Sequence, residues 1–150
     1  MTNINKLIQD LTLREKISLM SGFNSWYTNK IDRLDIPSIK MSDGPNGVRG
    51  DSTSGKSSAC FPCAISIGST WDMDLINQLG VALGEEAKVK DVDVLLGPTI
   101  NIHRHPLGGR HFESFSEDPF LTGKIATEYV KGVQSQNVAA CLKHFIGNDT

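Results

Sequence analysis

Residues 92–110 read VDVLLGPTINIHRHPLGGR: a short apolar run that breaks into glycine, proline and a cluster of asparagine, histidine and arginine. Val92–Leu96 has the length and composition of a buried strand, and residues 97–110 have the composition of a loop. The same change occurs twice more. IPSIKM (36–41) runs into Ser42-Asp43-Gly44, and VAACLKHF (138–145) carries Lys143-His144 and leads on to Asn148-Asp149. Three apolar strands, each tipped with polar groups, are the repeating feature of the chain.

Between the strands the apolar period changes from strand-like to helical. WDMDLINQLGVALGEEAKVK (71–90) brings Leu75, Leu79, Ala82, Leu83 and Ala87 round at helical intervals. In EDPFLTGKIATEYVKGVQSQN (117–137), Asp118 caps a helix, Pro119 suits its first position, and Phe120, Ile125, Tyr129 and Val133 form an inner stripe. An earlier helix starts at Thr12, whose capping box closes on Glu15, and stops at Gly22; Leu13, Ile17 and Met20 share one of its faces. SDGPNGVRGDSTSGKSSACFPC (42–63) reads as a long loop, and AISIGST (64–70) as a further short strand. Helix, strand, helix, strand, helix, strand is the order of an α/β fold with parallel strands and crossover helices.

The totals narrow the function classes. One ordinary domain fits in 150 residues, and 39% hydrophobic with 21% charged residues is a globular composition. The formal charge is 15 − 17 = −2 with basic residues scattered, so no nucleic-acid or anionic-membrane partner is expected. No run reaches the roughly 18 apolar residues of a membrane span. The opening MTNINKLIQDLTLREK lacks the pattern of a secretory signal, and cytoplasmic residence is the default expectation. Three cysteines give no disulfide framework. Cys60 and Cys63 have the spacing of a redox or zinc half-site but sit in a Gly/Ser-rich loop with Pro62 between them, which favours a structural role. No further converging ligands accompany His103 and His105, so both read as loop structure. Neither a metal nor a cofactor is expected.

In parallel α/β folds the carboxyl ends of the strands share one side of the sheet, and that side holds the ligand. Asp43 lies in good turn chemistry, yet a short carboxylate on rigid backbone also suits two hydroxyl hydrogen bonds from a sugar. Arg110 either braces its loop through Glu113 or Glu117 or binds a ligand, and the two roles are compatible. Lys143 and His144 either end a strand in solvent or face a polar cavity. Adjacent strand residues point to opposite faces, so for both to reach one ligand the backbone at 143–145 must leave regular strand geometry.

MSDGPNGVRG (41–50), FPCAISIGSTWD (61–72), LLGPTINIHRHPLGGRHFESFSEDPFL (95–121) and CLKHFIGND (141–149) together resemble the amino-terminal domain of family-three glycoside hydrolases, in particular the β-glucosidases. The resemblance runs from about residue 10 and implies the opening portion of a (β/α)₈ TIM-like barrel, with about three of its βα units. It implies hydrolysis of terminal non-reducing β-D-glucosyl residues with retention, acting on a β-glucoside or cello-oligosaccharide. Carried over by residue, it places Asp43, Arg110, Lys143 and His144 around the terminal glucose as substrate-binding groups. Retention needs a carboxylate nucleophile and an acid/base carboxyl about 5 Å apart. Neither is assigned within 1–150, and Asp149 is not taken as the nucleophile.

A complete barrel takes about 250 residues, so the chain reads as an amino-terminal fragment, 1–150, expected to be inactive and aggregation-prone in isolation. Ile146-Gly147-Asn148-Asp149 stands where the β-N-acetylglucosaminidase branch tends to carry Pro-Gly-His-Gly, which favours the glucosidase branch. β-Xylosidase specificity and a truncated, non-catalytic sugar-binding fragment remain as alternatives. For the latter, sugar binding is expected to be weak or absent, because the subsite lacks its other walls.

Overall fold

The computed structural model describes residues 3–50, 56–145, 147 and 148. Its backbone divides into two compact units, residues 1–41 and 42–150, and β1 (Met41–Asp43) begins at the boundary.

The first unit holds two short helices, α1 (Ile4–Asp10) and α2 (Leu13–Leu19). Thr12 caps α2 as its sequence requires: the Thr12 hydroxyl accepts from the Glu15 N–H, and the Glu15 carboxylate accepts from the Thr12 N–H at 2.8 Å. Asn3 caps α1 one way only, its side-chain oxygen accepting from the Lys6 N–H at 3.1 Å, and the sequence reading passed this helix over. The α2 helix ends at Leu19, before Gly22, and its Leu13, Ile17 and Met20 are exposed. Arg33 grips Glu15 with two nitrogens, at 2.8 and 2.6 Å. That fork, with the Thr12 hydrogen bonds, holds the Glu15 carboxyl down to about 2. Antiparallel bridges Gly22–Thr28, Tyr27–Lys40 and Ile31–Ile36 fold the rest of this unit. Residues 36–40 are taken up by those bridges, and the first strand forms later than IPSIKM suggested.

In the second unit, α3 (Ala64–Gly68), α4 (Met73–Val89), β2 (Val94–Leu96), α5 (Pro119–Ser135) and β3 (Ala139–Ala140) follow. The sheet order is β1-β2-β3, and β2 pairs with β3 in parallel, Val94 with Ala139 and Leu95 with Ala140. This is a mixed α/β arrangement with a small parallel sheet, and its strands are shorter than the apolar runs that contain them.

Residues 64–68 form a helix, not a strand: Ala64, Ile67 and Gly68 are buried at helical spacing, and Cys63 is the cap residue. Five residues with isoleucines two apart fit either period, and the backbone takes the helical one, the Ile67 N–H donating to the Cys63 carbonyl at 3.0 Å. Cys63 therefore opens a short helix, and both Cys60 and Cys63 are free thiols.

The inner stripes also shift. On α4 the buried positions are Ile76, Gly80, Leu83, Gly84 and Ala87. Leu75, Leu79 and Ala82 instead line an apolar groove of about 340 Å³ with Phe61 and Ile67. On α5, Ile125, Tyr129 and Val133 are buried as expected, but Phe120 is 72% exposed. On α4 the reason is the glycines. A Cβ on Gly80 would stand 2.4 Å from the Tyr129 carbonyl oxygen, and one on Gly132 would stand 2.3 Å from that of Asn77. The two helices touch backbone to backbone, so residues beside the glycines, and not the longest apolar ones, occupy the contact. The Asp118 cap, accepting from the Phe120 and Leu121 N–H groups at 3.0 and 3.1 Å, is where the sequence put it. Leu83, Leu95, Ile125 and Val133 form a fully buried core, each side chain worth about 1.5–3 kcal/mol relative to exposure.

Candidate functional site

β1 delivers Asp43 at its last residue, and the turn beyond it is held from several sides. Ser42 Oγ accepts from the Gly50 N–H at 2.8 Å, and the Asp43 carbonyl accepts from the Arg49 N–H at 3.0 Å. The buried Tyr129 hydroxyl donates to the Pro45 carbonyl at 2.8 Å. Burial alone pushes the Tyr129 phenol up, which keeps it protonated as that donor.

β3 ends at Ala140, and the chain then leaves regular strand geometry. Lys143 still bridges Thr99 in parallel, and the Lys143–His144 peptide is cis. The two side chains take different partners. Lys143 Nζ donates to Asp43 Oδ1 at 2.7 Å, joining the ends of the first and third strands across 100 residues of sequence. Asn101 Oδ1, beyond β2, accepts from the His144 backbone N–H at 3.2 Å and from ring Nδ1 at 2.9 Å. Nδ1 therefore carries the proton, and the neutral ring has its acceptor lone pair at Nε2.

The charges around these groups set their protonation. Partial burial would raise the Asp43 carboxyl, but the Lys143 hydrogen bond and charge, the Gly44 N–H and the Arg49 charge bring it below its ordinary 3.8. Arg49 Nε lies 3.8 Å from Asp43 Oδ2. Burial lowers the His144 imidazole, and the positive charges of Lys143 and Arg110 lower it further, against Glu113 and Asp43. Arg110 and His144 thus share one electrostatic neighbourhood with Asp43, and His144 is neutral at pH 7.

Arg110 sits on the 97–118 loop with a left-handed backbone, φ 61°, next to the 3₁₀ turn His111–Glu113. Its guanidinium makes a two-pronged pair with Glu113, both bonds 2.8 Å, while remaining more than half exposed. The bracing partner is Glu113. His103 Nε2 donates to the His111 carbonyl at 2.8 Å, and His105 accepts at Nδ1 from the Leu107 N–H at 3.1 Å. Both histidines hold the loop.

Lys143 and His144 line a cavity of about 500 Å³ together with Asn101 and Arg104, a volume in the range of small-ligand pockets. Asp43 and Arg110 are not among its lining residues. Arg49 and Asn101 are the participants the sequence reading did not select. Arg49 was visible as the basic residue after a glycine-rich turn, but only the fold turns it back on Asp43. Asp149 lies outside the described residues.

The structure is similar to a β-glucosidase of Kluyveromyces marxianus solved in complex with glucose, with a TM-score of 0.94, 47% identity, and coverage of 99% of this chain and 18% of that one. A β-glucosidase of Thermotoga neapolitana in complex with glucose gives a TM-score of 0.87 and 39% identity, over 97% of this chain and 23% of that one. In sequence, the chain is 54% identical over 148 residues to a probable β-glucosidase I of Emericella nidulans and 53% identical to a β-glucosidase of Rhizobium radiobacter. These alignments take in 98% of this chain and 18% of each relative, so it spans about a fifth of their length. Residues 7–150 match the glycosyl hydrolase family 3 N terminal domain, and the chain belongs to that family.

Proposed function

We propose that the chain is the opening portion of a (β/α)₈ barrel and that it supplies one wall of the glucose subsite of a retaining β-glucosidase. The observation that carries this reading is the Asp43–Lys143 pair, which closes the ends of β1 and β3 beside the cavity that holds His144. Asp43 presents carboxylate lone pairs to two sugar hydroxyls, and Lys143 and the neutral His144 offer a donor and an acceptor for neighbouring ones. Arg110, oriented by Glu113 and exposed, adds a directional donor. Glucose in the solved relatives, and the glucosidase names of both curated relatives, support glucose as the sugar.

Bond cleavage by retention needs two carboxyls about 5 Å apart, one to attack and one to donate a proton. The family resemblance implies that both come from later in a longer enzyme, and the cation-paired Asp43 and Glu113 are assigned neither role.

The test is aryl β-glycoside turnover by that longer enzyme. It should favour the β-D-glucoside and release β-glucose first, and Asp43→Asn should cut kcat/KM by roughly a hundredfold or more. The 150-residue chain alone should not turn over. A preference for the xyloside or the N-acetylglucosaminide, or an Asp43→Asn enzyme of unchanged kcat/KM, contradicts the proposal.

A further inference from the structure

Glu86 and Lys90 lie one turn apart where α4 ends, outside the subsite described above. Lys90 is only 3% exposed, and a lysine so buried needs partners. Its Nζ donates to the Val48 carbonyl and the Ser58 hydroxyl and stands 3.4 Å from Glu86 Oε1. Glu86 accepts the Val48 N–H at 2.8 Å with Oε2 and the Ala59 N–H at 2.6 Å with Oε1. Both backbone polar groups of Val48 are therefore held by these two side chains, and its own side chain is fully buried.

The residue after Val48 is Arg49. Its N–H donates to the Asp43 carbonyl, and its guanidinium faces Asp43 Oδ2 at 3.8 Å. On its other side the Gly50 N–H donates to Ser42 Oγ. Fixing Val48 thus fixes the segment that lies against Ser42 and Asp43. Lys143 holds one carboxylate oxygen of Asp43, and Arg49 faces the other.

We propose that Glu86 and Lys90 are positioning residues for Asp43: by holding Val48 they set Arg49 against its carboxylate and fix the direction in which it meets a sugar hydroxyl. The inference rests on the sugar-binding reading of Asp43. A clamp that only fastened Val48, Ser58 and Ala59 to α4 would contribute stability and leave the Asp43 carboxylate unchanged in a folded variant.

Titration of the Asp43 carboxyl carbon by NMR, in the chain and in its Glu86→Gln and Lys90→Met variants, separates the two. Glu86→Gln leaves a single acceptor oxygen for two N–H donors, and Lys90→Met keeps the length of the side chain without its charge. In the unmodified chain the midpoint should lie below 3.8. In both variants it should rise toward 3.8, with the methyl signals of Leu83, Ile125 and Val133 unmoved. An unchanged midpoint in a folded variant overturns the proposal.

Amide exchange in the unmodified chain gives a second reading that does not depend on either variant folding. The Val48 and Ala59 amides should exchange at least roughly tenfold more slowly than open loop amides, and rates typical of an open loop there also overturn the clamp. A midpoint that shifts in the variants, with Asp43→Asn leaving kcat/KM of the longer enzyme unchanged, retires the sugar reading alone.

Discussion

The two sides of the candidate subsite are built on different principles. Asp43 is anchored from a distance: Tyr129 of α5 holds the turn after it, Glu86 and Lys90 hold the returning segment, and Lys143 crosses 100 residues to its carboxylate. Arg110 is anchored locally, by a glutamate three residues on and by histidines of its own loop. The first kind of anchor depends on the whole α/β unit being folded. The second survives as long as one loop keeps its turns, and it leaves the guanidinium exposed. The candidate subsite so made has one side fixed by the core and one side held by its own loop alone.

Substitutions at the helix contact should break the fixed side most severely. Gly80→Ala or Gly132→Ala forces apart backbones that leave no room for a methyl, and should cost on the order of 3 kcal/mol in urea unfolding. Lys143→Met leaves the half-buried Asp43 carboxylate without its principal partner. Unfolding should show a loss of about 1–3 kcal/mol, and the Asp43 midpoint should rise. Tyr129→Phe removes one donor from the Pro45 carbonyl and should cost about 1 kcal/mol by the same measurement. Glu113→Gln, on the locally held side, should change stability by less than about 1 kcal/mol because its partner is exposed. A Glu113→Gln loss equal to that of Lys143→Met would erase the distinction between the two sides.

Acid should dismantle the fixed side in two stages. The folded imidazole of His144 is lowered from its ordinary 6.5, so the unfolded chain takes up that proton first. Its contribution begins to fall as pH drops below 6.5. Asp43 is lowered from 3.8, so its contribution is intact above that value and lost as pH falls through the lower folded one. Urea unfolding followed against pH should show the first loss disappear in His144→Gln and the second in Asp43→Asn.

Much of the α/β plan was legible because it rests on local signals: the Thr12–Glu15 capping box, Asp118-Pro119 at a helix start, and the change from helical to strand-like apolar period. What escaped was decided by distant partners. Residues 64–68 satisfy both periods, and the folded backbone takes the helical one. Leu75 is outranked at the helix contact by Gly80 and Gly132, because close backbone approach is a property of the pair and not of either sequence. The strand ends were legible as polar tips. That Lys143 reaches Asp43 while His144 turns to Asn101 required the fold, since alternation alone sends neighbours to opposite faces.

The central claim concerns where a sugar goes. A two-dimensional NMR titration of the chain with D-glucose, with L-glucose as control, addresses it most directly. D-glucose should give weak, saturable shifts confined to Asp43, Asn101, Arg110, Lys143 and His144, because a single wall binds poorly but in its own place. Shifts that are equal for the two enantiomers, or that fall elsewhere on the chain, contradict the account.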